Sequence, residues 1–168
     1  MSDPVVISMV TWNRVSILRE TIEAIEATCQ RDEYRLLVTD NGSTDGTPDM
    51  LRQMEREERL TAWCLPENLG TAGGRNAHWD QAVGYDAIRM DDKAKMLCSG
   101  WLPALKAMAY REHVVLAPPY DPSVEPISRL APCLEFVRWD QEAGRGGPMI
   151  FFPAEVNTAL GAIDELDP

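Results

Sequence analysis

Apolar and β-branched residues run almost unbroken through Val5-Val6-Ile7-Ser8-Met9-Val10-Thr11-Trp12, the pattern of a parallel strand covered on both faces. Asn13-Arg14 ends the run. From Val15 the apolar positions Ile17, Leu18, Ile22, Ala24 and Ile25 recur at helical spacing between Glu20, Glu23 and Glu26, which predicts a helix of about four turns. Tyr34 to Thr39 then reads as a second strand, completing a βαβ unit that is right-handed by rule. Pro48 suits the first turn of a further helix that Thr47 can cap, with Met50, Leu51 and Met54 as its buried stripe. The other face, Arg52, Glu55, Arg56, Glu57, Glu58 and Arg59, alternates in sign and reads as a solvated surface. Leu60 to Leu65 is a third strand. A block of small residues follows and opens a helix to about Val83, and a fourth strand, Tyr85 to Met90, delivers Asp91-Asp92 to the carboxyl edge of the sheet.

The pattern loosens beyond residue 95. Trp101 to Tyr110 predicts a helix, Val114 to Ala117 a short strand, and Pro118, Pro119, Pro122 and Pro126 an irregular connection. Leu134 to Trp139 reads as a strand, Gly144-Arg145-Gly146-Gly147 as a turn, Pro148 to Phe152 as another strand, and Pro153 to Leu160 as a helix closed by Gly161. Alternating strands and helices argue for an α/β fold with a mostly parallel, Rossmann-like sheet, helices on both faces and a mixed C-terminal part. With 168 residues the chain fits one domain.

Composition narrows the function classes. A formal net charge of -11 repels polyphosphate, so neither nucleic acid nor an anionic membrane surface is an expected partner. No apolar stretch approaches the ~20 residues of a membrane helix, and the N-terminus lacks a basic-then-apolar signal pattern, so a cytoplasmic location is expected. Cys29, Cys64, Cys98 and Cys133 are widely spaced, without a C-x-x-C pair or a histidine at ligand spacing, and are expected to be buried free thiols.

Four strand ends are candidates for chemistry. The block Asp40-Asn41-Gly42-Ser43-Thr44-Asp45-Gly46-Thr47 is an acidic, glycine-punctuated turn at the carboxyl end of a buried strand, where open α/β sheets place ligands. Asp40 can accept hydrogen bonds from a nucleobase N–H or from ribose hydroxyls; alternatively it builds an Asx turn and caps the next helix, the role preferred for Asp45. An EF-hand reading of this loop fails, because Arg52 stands where a bidentate Glu is required. Gly70, Gly73 and Gly74 lie between a strand and a helix, where backbone N–H groups can receive a pyrophosphate and Arg75 can add a charge-assisted contact. Close packing of that helix on the sheet explains the same glycines. Asp91-Asp92 is the candidate site for Mg²⁺ or Mn²⁺, hard ions that take carboxylate oxygens and bridge protein to diphosphate. His78 and His113 suit ordinary packing or surface positions. Trp79, Trp101 and Trp139 offer a sugar-stacking platform, but core packing is the stronger expectation for each.

Val6 to Arg14, Asp40 to Thr47, Asn68-Leu69-Gly70 through Gly74-Arg75-Asn76, and Ile88-Arg89-Met90-Asp91-Asp92, in this order and spacing, resemble the nucleotide-sugar-binding half of family 2 glycosyltransferases, which have the GT-A fold. Gly100-Trp101-Leu102 and Gly147 to Leu166 resemble later segments of that family. The resemblance implies an inverting transfer of sugar from a nucleoside diphosphate donor, of UDP or dTDP type, to a carbohydrate or other hydroxyl acceptor. It implies a donor site on Thr11, Trp12, Asn13, Arg14, Asp40, Asn41, Gly42, Gly70, Gly73, Arg75, Asn76 and Asp91, with Asp92 and Asp91 holding the metal. Residues 1–95 would form the nucleotide-sugar half and residues 96–168 the acceptor side.

Two departures stand out. The family's Asp-x-Asp reads Asp91-Asp92-Lys93-Ala94 here, so either Asp92 is the sole protein ligand or Lys93 partly neutralises the diphosphate. The family's catalytic base lies in an acidic segment beyond the part matching Gly161 to Leu166, so this chain reads as a short or truncated member. Asp164 and Glu165 are candidate bases, although they match the family's structural turn, and Glu135, Asp140 and Glu142 are further candidates. A non-catalytic nucleotide-sugar-binding domain is the alternative, and a dinucleotide-dependent oxidoreductase is disfavoured by the absence of G-x-G-x-x-G.

Overall fold

The computed structural model describes residues 3–96, 99–112, 115–117, 137–139 and 149–160. Strand β1 (Val5–Thr11), helix α1 (Val15–Thr28), β2 (Tyr34–Asp40), α2 (Thr47–Arg56), β3 (Thr61–Cys64) and α3 (Gly70–Asn76) alternate along the first part of the chain. A 3₁₀ turn (Trp79–Ala82) leads to β4 (Ala87–Asp91), β5 (Ala94–Met96) and α4 (Trp101–Glu112). The remaining described elements are β6 (Val115–Ala117), β7 (Val137–Trp139), β8 (Met149–Phe152) and α5 (Ala154–Leu160).

The main sheet has the order β3-β2-β1-β4-β8-β6. The first four of these strands are parallel to one another, and β8 runs antiparallel to both β4 and β6. Beside it β5 pairs antiparallel with β7. This is the expected mostly parallel sheet with a mixed later part. Helix α1 buries Leu18, Ile22 and Ile25, the stripe its 3.6-residue period dictates, and α2 buries Met50, Leu51 and Met54. With Ile7, Met9, Leu36, Val38, Ile88, Met90, Trp101, Leu102 and Leu105 they form the larger core. The opposite sheet face carries a smaller cluster of Val6, Leu37, Trp79, Ala82, Ala87 and Phe152. No helix of the described residues is long and apolar enough to cross a membrane.

Several expectations need correction. The helix expected to reach Val83 breaks into α3 and the 3₁₀ turn, because His78 between them leaves helical geometry (φ -140°, ψ 12°) as its ring bonds the sheet. Helix α2 begins at Thr47 without a cap from its hydroxyl; Asp45 Oδ1 instead accepts the Thr47 N–H at 2.9 Å. Of the cysteines, Cys29 and Cys64 are free thiols, but Cys64 is exposed because β3 lies at the sheet edge, and Cys29 is only half-buried. Strand β5 has no counterpart in the sequence reading. Cys98, His113, Cys133, Glu135, Asp140, Glu142, the proline-rich connection 118–126, the turn 144–147, Gly161, Asp164 and Glu165 lie outside the described residues.

Candidate functional site

Parallel pairing aligns the carboxyl ends of four adjacent strands. Thr11 of β1 stands opposite Asp40 of β2, Val10 stands opposite Asp91 of β4, and Asp40 also pairs with Cys64 of β3. The loops leaving these ends are tied to one another by side chains. Asn13, held at φ 52°, donates its N–H to Ser43 Oγ at 2.7 Å, and its Oδ1 accepts the Thr44 N–H at 2.7 Å. Asp45 Oδ2 accepts the Val15 N–H at 3.2 Å. The loop after β1 is therefore locked onto the loop after β2, with Trp12 projecting 52% exposed at the rim.

Asn41 performs the same service for the third loop. Its Oδ1 accepts the Leu69 N–H at 2.9 Å, and its Nδ2 donates to Asn68 Oδ1 and to the Gly70 carbonyl, each at 2.9 Å. Gly42 between these contacts is obligatory: it sits at φ +75°, and a Cβ there would lie 2.5 Å from the backbone carbon of Glu67. Gly74 also permits a close approach, since its Cβ would meet Val10 Cγ1 at 2.9 Å. Helix packing on the sheet thus accounts for Gly74. Gly70, Gly73, Arg75 and Asn76 all lie on the short helix α3, with Arg75 half-buried.

Asp40 is buried, 1% exposed, and accepts the Ser43 N–H at 3.2 Å through Oδ1. It therefore builds an Asx turn as well as standing at the strand end. Burial pushes its carboxyl above the usual aspartate range, against the lowering effect of Ser43.

At the end of β4, Asp92 is 1% exposed and its Oδ1 pairs with Arg14 Nη1 at 2.9 Å. The Thr21 hydroxyl donates to the Asp92 carbonyl at 2.8 Å, fixing the turn against α1. Burial, and then the neighbouring Asp91 carboxyl, push Asp92 up to about 6 despite Arg14. Asp91 Oδ1 accepts the Lys93 N–H at 3.3 Å, and Lys93 itself is buried. The pair fits a divalent cation in one respect: Asp92 Oδ2 is buried without a hydrogen-bond partner among the described residues and carries the hard oxygen such ions take. Among the described residues no group of three or more His, Cys, Asp or Glu could hold an ion, so water and a ligand's oxygens would complete the shell.

Sequence reasoning missed the buried polar network beneath α3. His78, fully buried, bonds Ser8 Oγ through Nε2 at 3.1 Å and Thr39 Oγ1 through Nδ1, and stacks on Trp63 at 5.7 Å. Burial holds its imidazole down at about 4, so the ring is neutral at physiological pH. It is a packed core histidine, as expected. Arg89, 8% exposed, lies beside this network with its guanidinium 3.9 Å from the Trp79 ring. A cation in the middle of an apolar strand was the one available signal. Trp79 and Trp101 are both core residues at 2% exposure and form no sugar-stacking platform.

The sequence model of the family described as glycosyl transferase family 2 matches residues 6–146. TuaG of Bacillus subtilis (strain 168), provisionally named as a teichuronic acid biosynthesis glycosyltransferase, is 33% identical over 94 residues, covering 53% of this chain and 37% of TuaG. The mannosyltransferase PcManGT from Pyrobaculum calidifontis, solved in complex with GDP-Man and Mn²⁺, superimposes with a TM-score of 0.68 at 21% identity, covering 96% of this chain and 48% of that one. S. aureus TarS 1-349 in complex with UDP gives a TM-score of 0.58 at 20% identity, over 74% of this chain and 38% of TarS 1-349. The fold is shared with both solved proteins and is the expected GT-A arrangement. The chain spans about a third to a half of the length of these relatives.

Proposed function

Because the chain belongs to glycosyl transferase family 2, we propose that its crevice binds a nucleoside diphosphate sugar of UDP or dTDP type and that the sugar passes to an acceptor hydroxyl with inversion. The observation that supports this reading most is the alignment of Thr11, Asp40 and Asp91 at one sheet edge, with Asn41 pinning residues 68–70 beside them. Asp40 accepts from a pyrimidine N3–H or a ribose hydroxyl, a contact strengthened by the low polarity around its buried carboxyl. Thr11, Trp12 and Asn13 line the base. Arg14, Gly70, Gly73, Arg75 and Asn76 flank the diphosphate. Residues 1–95 carry the donor, and residues 96–168 contribute to the acceptor side.

Asp91 and Asp92 are the residues that would hold Mn²⁺ or Mg²⁺, an assignment supported by the partnerless Asp92 oxygen and by the Mn²⁺ in the PcManGT complex. A divalent ion bound there supplies positive charge to the departing diphosphate. Arg14, 2.9 Å from Asp92, holds that carboxylate in place on the crevice side of α1.

The test is a thermal-shift series with UDP, dTDP and GDP, each with and without Mn²⁺. Ligand that binds the native state raises the melting temperature. UDP and dTDP are expected to raise it more than GDP does, and Mn²⁺ is expected to enlarge the shift. Asp40→Asn keeps an acceptor for the Ser43 N–H but removes the charge, and is expected to weaken UDP about ten- to a hundredfold, the value of one charged hydrogen bond. No shift with any nucleotide overturns the donor pocket, and a shift indifferent to Mn²⁺ removes the metal from the reading. Donor binding without hydrolysis or transfer would leave a nucleotide-sugar-binding domain instead of a transferase.

A further inference from the structure

Beneath α3, on the sheet face away from the main core, a cavity of about 30 Å³ is lined by Ser8, Val10, Arg75, Arg89, Met90 and Ile150. The volume suffices for a single water or a monatomic ion. Among the described residues that line it, two are arginines and none is acidic. Ser8, Arg89 and Ile150 are cross-strand neighbours on β1, β4 and β8, so the floor is one row of the sheet, while Arg75 reaches it from the helix.

The arginine on the floor is the unusual feature. Arg89 is 8% exposed, and both its Nε and its Nη2 are buried without a hydrogen-bond partner among the described residues. An arginine guanidinium is cationic at neutral pH, and Arg75 lines the same recess. Contacts with the Trp79 ring at 3.9 Å and the Phe152 ring at 5.7 Å return part of the lost hydration but satisfy no N–H. A buried cation with free donors beside a second cation is costly unless an anion joins them. In a chain of net charge -11, this spot has the opposite character.

We propose that the Arg75–Arg89 recess binds a single small anion, a halide such as chloride, between the two guanidinium groups and the Ser8 hydroxyl. Ser8 is prepared for this by His78. His78 Nε2 bonds Ser8 Oγ and its Nδ1 bonds Thr39 Oγ1; with the ring proton on Nε2, the Ser8 hydroxyl accepts from His78 and keeps its own O–H for the anion. The anion then receives Arg89 Nε–H, Arg89 Nη2–H and Ser8 O–H, with the charge of Arg75 beside it. Its seat is two residues below Asp91 on the same strand face, so it joins β1, β4 and β8 to the helix roofing the crevice.

The site requires no nucleotide, so its test is separate from that of the donor pocket. Melting of the intact chain is measured without nucleotide in gluconate, chloride and bromide at constant ionic strength. A saturable rise of a few degrees in chloride and bromide is expected, the scale of one-site linkage in a protein of this length. Arg89→Met keeps an apolar stem against Trp79 and Phe152 and is expected to lose the rise. Crystals of the wild-type protein soaked in bromide are expected to show an anomalous peak against Arg89 Nε, a readout that stands even if the variant fails to fold. Equal melting in gluconate and chloride overturns the proposal. So does a halide effect that persists in Arg89→Met, a recess without bromide, or stabilisation by UDP that needs Arg89 while halides do nothing.

Discussion

On the sheet face covered by α1, α2 and α4, the central strands contribute Ile7, Met9, Leu36, Val38, Ile88 and Met90, all apolar and all buried. On the other face the same three strands contribute Val6, Ser8, Leu37, Thr39, Ala87 and Arg89, where apolar and polar residues alternate along each strand. Both faces exclude water, yet by different means. The first is held by non-directional burial, which tolerates small displacements and scales with area. The second depends on specific partners, Ser8 and Thr39 for His78 and the Trp79 ring for Arg89, so it fixes geometry at the cost of desolvating polar groups. The polar face is the one that carries α3 and, one step above, Asn41 with its hold on residues 68–70. The chain therefore keeps its stabilising and its positioning functions on opposite sides of one sheet.

The largest effect is expected on the apolar face. Ile22→Ala removes a fully buried side chain at the centre of the α1 stripe and is expected to cost about 2–5 kcal/mol in urea unfolding. Nucleotide affinity of the folded fraction should be unchanged. A loss of affinity comparable to the loss of stability would show that the two faces are not separable.

Next in size is a pH effect confined to the polar face. His78 titrates at about 4 when folded against its ordinary 6.5, so between those values the unfolded chain binds more protons. Its contribution is complete above pH 6.5 and disappears as pH falls to 4, a change of about 3 kcal/mol from the conversion of pKa shift to free energy. Asp92 acts in the opposite sense. Its folded value is raised to about 6 from 3.8, so its protonated form stabilises the fold at low pH, and that help is lost as pH rises through 6. Comparison of wild type with His78→Gln isolates the histidine: the stability difference between them should shrink as pH falls from 6.5 to 4. A difference constant with pH would place His78 outside the linkage.

This division also explains what could be read from the sequence. Strands β1 and β2 and helices α1 and α2 were legible because continuous apolar runs and the 3.6-residue period record burial directly, residue by residue. The gathering of Thr11, Asp40 and Asp91 followed from a topological rule, since parallel strands alternating with helices must end on one edge. Partner-dependent features left no such trace. Arg14 and Asp92 meet across 78 positions, Ser8 and His78 across 70, and nothing local announces either pairing. His78 also breaks the predicted helix, because hydrogen bonds to the sheet outweigh the weak helix preference of the small residues before it. Strand β5 has only three residues and exists by pairing with β7, a distant segment. The sequence offered both Thr47 and Asp45 at the start of α2, and the structure bears out the turn at Asp45: its Oδ1 accepts the Thr47 N–H while its Oδ2 reaches the Val15 N–H, whereas the Thr47 hydroxyl caps nothing.

The smallest change in stability should come from Asn41, where the two kinds of face can be told apart most finely. Asn41→Ala removes an acceptor for Leu69 and two donations, to Asn68 and the Gly70 carbonyl. Water reaches part of this loop and replaces some of the bonds, so the expected loss is about 1–2 kcal/mol, below the sum of three full hydrogen bonds. The local effect should be much larger than the global one. In hydrogen exchange, the Leu69 amide, bonded to Asn41 Oδ1, should lose its protection, while the amides of α1, packed on the apolar face, keep theirs. UDP affinity should fall with it, because the loop bearing Gly70 would no longer be held at the strand end. If Leu69 remains protected in Asn41→Ala, the third loop is positioned by the packing of Gly74 on Val10 instead, and the polar face contributes less to the crevice than its hydrogen bonds suggest.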